Sequence, residues 1–477
     1  MTQDQKRFSF PATPANTETE TPPQERQRDT RQREGTHNDA SGALLSLRGA
    51  RVLGVNPPVF DFAYFDLWAK PLGLLYLLET LRRNGNDVAL LDCIAEAREK
   101  RRSFGRWVPS RQPLPKPAPY QDIPRTYFHF GLSEERFLER LRSLPEPDVI
   151  LVTSGMTYWY PGVFWCIERL RHVFPKTPLH LGGIYARLCP DHATRSGADF
   201  VQSEPFPISA PFPALDLYEN PEYGVALTSF GCPFRCDYCA SSQLWPAYRR
   251  KSVDEAVAEI TAQLTLPSVR AIAFYDDALL LDKDRFFYPL CEELARRFHR
   301  TEESTPLVSF HTPNGLHVRE IDRACAAVLR RTGFATLRLS LESTDPAILL
   351  AGSAKVAPSH YEEALQNLRL TGYDDGALET YLLLGLPGQS RESVEASIRF
   401  ARGLGARVKL AEFSPIPGTP LFEAACRTVP DLATEPLLAN NSVYATYISG
   451  TLSPKELQAL KDLAAGRERS GSEPVRS

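Results

Sequence analysis

The sequence predicts an α/β protein built from two consecutive arrays of alternating strands and helices. The first array, at about residues 46–204, has short apolar, β-branched runs separated by helix-like segments, the pattern of a doubly wound parallel sheet with right-handed crossovers. The second array, at about 223–422, has six strand-like runs with helix-like segments between them. The first of these runs leads into a loop with three cysteines, around which the rest of the chain is organised.

Composition and charge narrow the class of protein. The chain has 477 residues, of which 43% are hydrophobic and 24% charged, with a net charge of −3. These values fit two or three globular domains and do not indicate a nucleic-acid partner. No apolar run approaches the roughly 20 residues of a membrane span, and the N-terminus lacks the apolar core of a secretory signal. Nine cysteines without a framework spacing argue against a disulfide scaffold and favour a reducing, cytoplasmic location.

The first array is preceded by a polar tail and interrupted once. Residues 1–45 are rich in Thr, Gln, Arg, Pro and Glu, which predicts disorder. Residues 97–130 are basic and proline-rich, which predicts an extended, partly polyproline-like insertion. Strands are predicted at about 50–56, 87–92, 148–154, 178–183 and 198–201, and helices at about 71–85, 133–144 and 160–174.

The second array follows a proline-studded linker at residues 205–222. Its first helix is predicted to begin with a capping box, Ser252-Val-Asp-Glu255. Residues 423–477 are expected to form one or two polar helices and a charged tail. Strands are predicted at 225–229, 271–275, 307–310, 336–341, 378–384 and 408–413.

The cysteine loop contains Cys232, Cys236 and Cys239 at C-x3-C-x2-C spacing. A loop of this length can bring three thiolates to one soft metal centre. Structural zinc usually takes four protein ligands, and ordinary four-iron clusters take four cysteines, so three cysteines leave one position open. The alternatives are a zinc knuckle with a distant fourth ligand, and three unrelated cysteines; the other six cysteines of the chain are scattered.

The loop resembles the cluster loop of the radical S-adenosylmethionine (SAM) superfamily, in which an aromatic residue precedes the last cysteine; here it is Tyr238. The resemblance implies a partial (β/α)6 TIM barrel with its chemistry at the carboxyl ends of the strands. It also implies a [4Fe-4S] cluster on the three cysteines, which are thereby the metal ligands and the catalytic centre. The open iron would chelate SAM, and one electron would cleave SAM to a 5′-deoxyadenosyl radical. A small-molecule substrate and a reducing partner such as flavodoxin or ferredoxin are expected.

The same resemblance suggests which residues hold SAM. An acidic pair follows the second barrel strand, where the family binds the SAM amino group, and the sequence does not tell which of the two faces inward. An acid ends the fourth strand, where the family contacts the ribose, and a Gly-x-Pro-Gly turn ends the fifth, near the adenine. Loop acids and a plain turn remain the alternatives. The residues concerned are Asp276 and Asp277, Glu342, and Gly385, Pro387 and Gly388.

The segment after the third barrel strand resembles one found in cobalamin-linked radical SAM proteins. It reads His311-Thr-Pro-Asn314-Gly-Leu-His317. His311 or Asn314 is a candidate to face the substrate. A turn explains the Pro-Asn-Gly string equally well.

The first array resembles the cobalamin (B12)-binding-like, Rossmann-like domain that precedes many radical SAM barrels. The resemblance lies in Asn56-Pro-Pro, the helix after Pro71, the Leu-Gly182-Gly183 turn and Gly197-Ala-Asp. It implies corrin contacts at Asn56, Ser154, Gly182 and Gly183. The Asp-x-His-x-x-Gly motif of cobalt-ligating domains is absent, because Asp191 and His192 are adjacent. Any cobalamin would therefore lack a protein histidine ligand, and a degenerate domain that binds no corrin remains the alternative.

These features favour a radical SAM enzyme that transfers a methyl group, with cobalamin, to an unactivated carbon of a small molecule. Three alternatives stay open: a radical SAM oxidoreductase or rearrangement enzyme with a degenerate B12 domain, a non-catalytic iron–sulfur or zinc protein, and a tRNA methylthiotransferase. The last is disfavoured because it needs a second, N-terminal cysteine cluster. Cys93, Cys166 and Cys189 are widely spaced, and too little chain follows Phe422 for an RNA-binding domain.

Overall fold

The computed structural model describes residues 42–207, 209–298, 307–352 and 356–467, so the predicted tail at 1–45 lies almost entirely outside the described residues. The strands of the N-terminal half are β1 (Arg51–Asn56), β2 (Val59–Asp61), β3 (Asp87–Asp92), β4 (Arg98–Arg101), β5 (Trp107–Pro109), β6 (Arg111–Leu114), β7 (Tyr127–Phe130), β8 (Val149–Val152), β9 (Leu179–Leu181) and β10 (Phe200–Val201). The helices are α1 (Leu72–Arg83), α2 (Glu134–Ser143), α3 (Tyr160–Val173), α4 (Ile184–Leu188) and α5 (Pro190–Ala193).

Five of these strands form the predicted doubly wound sheet. They are all parallel and lie in the order β10-β9-β8-β1-β3. The chain runs outward from β1 to β3 and then returns to the other side of β1 for β8, β9 and β10. Strand order therefore reverses between β1 and β8, and ligands of open α/β sheets bind beyond the carboxyl ends of the strands at such a point.

The insertion has more structure than its composition indicates. The pair β4 and β5 forms an antiparallel hairpin, and β6 pairs with β7, which also pairs with β2. Proline and arginine are weak local signals for strands. The pairing follows instead from burial: the ring of Tyr127 packs 5.2 Å from that of Phe62, and Tyr120 is fully buried beside both.

The strands of the second half are β11 (Tyr223–Ala226), β12 (Ser229–Phe230), β13 (Arg249–Arg250), β14 (Ala271–Phe274), β15 (Ser309–His311), β16 (Leu316–His317), β17 (Phe334–Glu342), β18 (Leu378–Leu384) and β19 (Arg407–Glu412). The helices are α6 (Ser241–Leu244), α7 (Val253–Leu264), α8 (Tyr288–Phe298), α9 (Arg323–Thr332), α10 (Pro346–Ala351), α11 (Pro358–Leu370), α12 (Arg391–Gly403), α13 (Pro420–Thr428), α14 (Asn441–Val443) and α15 (Pro454–Ala464).

The second half is the expected open barrel. Its parallel strands lie in the order β11-β14-β15-β17-β18-β19, with β16 paired to β17. All six predicted strands are present, displaced by at most a few residues. The capping box at α7 is also present, with Ser252 and Glu255 each accepting from the other's backbone N–H.

The N-terminal half fills one side of the barrel. Trp68 from the loop after β2, and Leu72 and Tyr76 from α1, pack in one apolar cluster with Val225 and Ala273 on the inner face of the first two barrel strands. The described residues from Leu45 onward accordingly form one compact unit.

The C-terminal segment belongs to this core and is less polar than expected. Leu460 of α15 packs into the main barrel core, while Leu437 and Val443 pack against the N-terminal half. Asn440 donates from Nδ2 to Oδ1 of the buried Asp61 at 2.9 Å. Among the described residues, no helix has the length and apolar character that crossing a membrane requires.

Candidate functional site

The three-cysteine loop is held at the carboxyl end of β11 by strand pairing and backbone contacts. β12 pairs antiparallel with β13, and the N–H of Leu421 donates to the carbonyl of Asp237 in the loop at 3.0 Å. Gly231 has a φ of +77°, a conformation that only glycine adopts easily, and a Cβ there would lie 3.0 Å from the Trp245 side chain. The loop is therefore fixed at both ends before any ligand binds.

The three cysteines of the loop have surroundings that suit thiolate ligands. Cys232 and Cys239 are half-buried and Cys236 is buried, and none forms a disulfide. The N–H of Ser241 donates to Cys239 Sγ at 3.4 Å, which stabilises charge on the sulfur. In the part of the chain described, no three His, Cys, Asp or Glu side chains converge as they would around one ion. A four-iron cluster makes a different demand, because each thiolate binds its own iron, so this donor set fits three corners of such a cluster.

The acidic pair after β14 divides into two distinct environments. Asp276 is buried and accepts from the N–H of Thr228, from its hydroxyl and from that of Ser229 at 2.6–3.1 Å. Asp277 is exposed and accepts from the hydroxyl of Ser241, two residues beyond Cys239, at 2.6 Å. Asp276 thus anchors the start of the cysteine loop, whereas Asp277 lies beside its end.

Glu342 is the last residue of β17 and has an unusual backbone. Its φ is +67°, the strand register shifts between it and Ser340, and its side chain is buried. A Cβ at Gly352 would lie 2.7 Å from Glu342 Oε2, and Cys236 Sγ lies 3.4 Å from the Gly352 carbonyl oxygen. Burial, and then the nearby Glu342 carboxylate and Cys236 thiol, raise the pKa of Tyr238. The predicted ribose ligand and the cysteine loop are therefore neighbours.

The turn after β18 presents backbone at the same end of the barrel. Gly385 and Gly388 have φ values of +84° and +78°. The Gln389 Oε1 atom accepts from the N–H of Gly385 at 2.9 Å, and its Nε2 donates to Leu383 at 3.1 Å. The side chain of Gln389 thereby holds the Gly385-Leu-Pro387-Gly388 turn in one conformation.

The carboxyl ends of β1, β8 and β9 carry the predicted corrin contacts. Asn56 donates to Asp92 Oδ1 at 3.0 Å, and Ser154 donates from Oγ to the Gly182 carbonyl at 2.6 Å. Gly183 has a φ of +94°, and a Cβ there would lie 2.3 Å from the Ser154 carbonyl oxygen, so the two strand ends fit tightly together. A Cβ at Gly182 would meet nothing nearer than Gln202 at 3.8 Å, which leaves open space beyond the strand ends.

Two exposed apolar side chains follow these strands. Met156 and Ile184 follow β8 and β9 and are 46% and 40% exposed. The apolar face of a flat macrocycle would cover them, so the residues present fit a corrin. The segments 56–70, 92–98, 153–160 and 182–187 contain no histidine.

The carboxyl ends of β1, β8 and β9, here called the corrin end of the N-terminal sheet because they carry the predicted corrin contacts, adjoin the cysteine loop. Arg187 of α4 donates to the carbonyl of Gln243 in α6, directly after the loop, at 3.3 Å. Tyr158 and Trp159, which follow β8, pack in the same apolar cluster as Tyr238. Both predicted cofactor regions therefore face the same part of the molecule.

The segment after β15 places its two candidate substrate-facing residues, His311 and Asn314, in different environments. His311 is fully buried, its ring nitrogens lie 2.8 Å from Thr336 Oγ1 and 3.0 Å from Ser309 Oγ, and burial lowers its pKa to about 3. It is a hydrogen-bonded interior histidine. Asn314 is exposed and donates to the Tyr275 carbonyl at 2.8 Å, beside Asp277.

Sequence reasoning passed over His317. Its ring lies 4.9 Å from the ring of Phe234, which is a residue of the cysteine loop. The available signal was its position at the end of a short strand that extends β15, but nothing local distinguishes it from His311. Of the two histidines in this string, His317 is the one beside the loop.

Comparison with known proteins agrees with this arrangement. Residues 227–401 match the sequence family described as the radical SAM superfamily. The fold extends this likeness to the N-terminal half: TsrM of Kitasatospora setae, a radical SAM methyltransferase, superposes on 80% of this chain and 77% of its own, at 16% identity and a TM-score of 0.56. A second TsrM structure, with cobalamin and a [4Fe-4S] cluster bound, gives a TM-score of 0.55. Residues 227–401 therefore match the radical SAM superfamily, whose members use a [4Fe-4S] cluster and SAM, and 80% of the chain shares the fold of TsrM.

Two curated relatives carry names that mention methyl transfer. An uncharacterized methyltransferase of Pyrococcus horikoshii is 28% identical over 226 residues, which are 45% of this chain and 46% of the relative. The cytidylyl-2-hydroxyethylphosphonate methyltransferase of Streptomyces wedmorensis is 22% identical over 470 residues, 80% of this chain and 82% of that protein. The chain thus spans about half of the first relative and most of the second.

Proposed function

We propose that this protein is a cobalamin-dependent radical SAM methyltransferase that acts on an unactivated carbon of a small molecule. The observation that carries the proposal is the adjacency of the corrin end of the N-terminal sheet to the cysteine loop, through Arg187 and Gln243 and through the aromatic residues around Tyr238. Methyl transfer needs a methyl carrier close to the SAM site. The names of the two curated relatives support the same reaction type.

The proposed roles of the chain's own residues follow from their positions. Cys232, Cys236 and Cys239 hold the cluster. Asp277 holds the SAM amino group, in preference to Asp276, whose carboxylate is already taken up by Thr228 and Ser229.

Three further groups complete the SAM and corrin sites. Glu342 accepts from the ribose hydroxyls, since a buried carboxylate is a strong acceptor. The backbone of the Gly385–Gly388 turn approaches the adenine. Asn56, Ser154, Gly182 and Gly183 line the corrin.

When bound, these cofactors supply an adenosyl radical and a transferable methyl group, while the protein excludes water and positions the groups. One-electron reduction requires an external donor, and a flavodoxin or ferredoxin fits that need. An oxygen-sensitive cluster suits a reducing cytoplasm.

Cobalamin uptake tests the proposal. The anaerobically purified protein is incubated with cobalamin, and the bound fraction is measured by its visible spectrum after gel filtration. We expect stoichiometric uptake by the unmodified protein and loss of uptake in Gly182→Leu, because this side chain would occupy the open space at the strand ends. Gly73→Leu on the exposed face of α1, where a Cβ meets nothing within 4 Å, is the matched control and should bind normally.

Absence of uptake by the unmodified protein would contradict methyl transfer. The protein would then be an enzyme that abstracts hydrogen and whose B12 domain is degenerate. Uptake together with transfer of a labelled methyl group from SAM to cobalamin would support the proposal directly.

A further inference from the structure

A group of charged and aromatic side chains lies inside the barrel, at Trp68, Arg106, His311, Arg338 and Glu379, here called the lumen cluster; Trp68, His311 and Arg338 are buried, and Arg106 and Glu379 are half-buried. Trp68 is 1% exposed, and its φ of +61° is strained for a bulky residue. Its ring stacks on that of His311 at 4.6 Å. The indole Nε1–H has no hydrogen-bond partner among the described residues, although it is buried.

Arg338 carries the second set of unsatisfied donors. It lies on β17, its side chain is 8% exposed, and its Nη2 forms an ion pair with Glu379 at 2.7 Å. Its Nε and Nη1 groups are buried and have no partner among the described residues. Leaving a buried donor unpaired costs about 1–3 kcal/mol, and more for a charged group, so three such donors in one place need an explanation.

Two further cations approach the same place. The Arg106 guanidinium, from the hairpin between β4 and β5, lies 4.3 Å from the centre of the Trp68 ring. The Lys70 ammonium lies 3.9 Å from the centre of the Tyr218 ring and forms no hydrogen bond or ion pair with a described residue. Lys70 lines a cleft with Gly105, Trp107 and Tyr223. Gly105 and Trp107 are the chain neighbours of Arg106, and Tyr223 packs in the same apolar cluster as Trp68.

The acids nearby are already satisfied. Glu379 is shared by Arg338 and by Lys409 at 3.6 Å. Asp66 accepts from the N–H groups of Trp107 and Ala69 at 3.0 and 3.1 Å. The groups of this region that lack hydrogen-bond partners are therefore donors, and most of them are cationic. The complementary ligand is a negatively charged hydrogen-bond acceptor.

The position of the cluster within the barrel indicates what that ligand belongs to. Arg338 precedes Glu342 by four residues on the same strand, which is about 13 Å along β17 at 3.3 Å per residue. Glu342 is the proposed SAM ribose ligand. A small molecule bound at the lumen cluster by one end would reach towards SAM with the other.

We propose that Arg338, Arg106 and the Trp68 indole bind an oxyanion of the methyl acceptor, a carboxylate or a phosphoryl group. The substrate class is then an organic acid or a phosphoryl-bearing small molecule. The strained Trp68 and the hairpin that carries Arg106 are the means by which the N-terminal half contributes to substrate recognition. This inference rests on the proposed function, because it takes the barrel interior as the substrate site.

Anion binding to the full-length protein tests this directly. Inorganic phosphate and acetate are titrated separately by calorimetry into the protein with its cluster and without SAM. One of the two should bind saturably, and which one does so distinguishes a phosphoryl from a carboxylate ligand. Since Arg338 would contribute two charge-assisted hydrogen bonds, Arg338→Gln should weaken binding by about ten-fold or more. Trp68→Phe keeps the ring and removes only the N–H, and should weaken binding by about three- to ten-fold.

Control variants separate loss of the anion site from a general effect of mutation or loss of folding. Arg391→Gln removes an arginine that is 42% exposed and ion-paired with Glu395, and should leave anion affinity unchanged. Visible absorption of the cluster reports folding of each variant, and if Arg338→Gln does not fold, Trp68→Phe decides. No saturable binding of either anion, or equal binding in the folded variants, overturns the proposal. The titration requires no turnover, so failure of methyl transfer and failure of anion binding are separate outcomes.

Discussion

Glu342, the proposed ribose ligand of SAM, has a buried side chain and a strained backbone. Burial of a carboxylate carries a desolvation cost, and a φ of +67° adds about 1–3 kcal/mol of strain. Both costs are tolerated here because the residue is surrounded by Gly352, Tyr238 and the packed barrel. The carboxylate is thereby held next to Gly352, whose carbonyl oxygen lies 3.4 Å from Cys236 Sγ, where the proposal places SAM.

Replacing this carboxylate should weaken SAM binding. Hydrogen bonds to a charged acceptor contribute roughly 1.5–3 kcal/mol, so Glu342→Ala should reduce SAM affinity about ten-fold or more. Equilibrium dialysis under anaerobic conditions measures it. Glu412→Ala is the matched control, because Glu412 also ends a barrel strand but pairs with Lys461 at 2.8 Å. Unchanged SAM affinity in folded Glu342→Ala would remove this residue from the site.

His311 should stay neutral throughout the physiological pH range. Burial, followed by the charges of Arg106 and Arg338, lowers its pKa to about 3. A lowered histidine pKa contributes stability that is complete above the unfolded pKa of about 6.5 and is lost as the pH falls towards 3. In NMR spectra of the ¹³C-histidine-labelled protein, the His311 ring should show no titration between pH 8 and pH 5. A midpoint near 6.5 would mean that the ring is solvated.

At the level of elements, hydrophobic periodicity predicted the strands and helices that depend on local sequence. It missed features that depend on contacts between residues far apart in the chain. The strands and helices of both arrays follow from their apolar patterns, and the start of α7 follows from the hydrogen bonds of its capping box. The hairpin of β4 and β5 could not be predicted, because Arg98–Arg101 is a charged run, and the hairpin is held by contacts with a distant residue, from Arg101 and Trp107 to Glu222. For the same reason the sequence could not separate Asp276 from Asp277, whose roles depend on Thr228 and Ser241.

The Gly182-Gly183 turn tests the packing of β8 against β9. Gly183→Ala places a Cβ 2.3 Å from a backbone oxygen at a φ of +94°, which should cost at least about 1 kcal/mol and lower the melting temperature by a few degrees. Gly182→Ala has room for its Cβ and should melt within error of the unmodified protein. Equal melting temperatures for the two variants, by calorimetry, would show that the turn is not tightly packed.

At the level of the whole molecule, the proposed reaction takes place where the two halves meet. The N-terminal half places a switch-point crevice against the cysteine loop, and it also sends Trp68 and Arg106 into the barrel. The C-terminal segment fixes this arrangement through Asn440 and Asp61. Substrate, SAM and corrin would therefore meet between the halves, which is the geometry that methyl transfer requires.

The corrin should bind without a nitrogen ligand from the protein, because the segments at the strand ends contain no histidine. The electron paramagnetic resonance spectrum of bound cob(II)alamin should show no splitting from a protein nitrogen. Nitrogen splitting that persists after removal of the corrin's own base would contradict this expectation.

The central claim is that Cys232, Cys236 and Cys239 hold the cluster that cleaves SAM. The direct measurement is 5′-deoxyadenosine released from SAM by the reduced, anaerobically reconstituted protein, quantified by mass spectrometry. The account predicts release by the unmodified protein and by a Cys189→Ala, Cys426→Ala control, whose cysteines are also half-buried. It predicts none when the three loop cysteines are changed together to Ala. Release by that triple variant, or none from an unmodified protein with a complete cluster, would contradict the account.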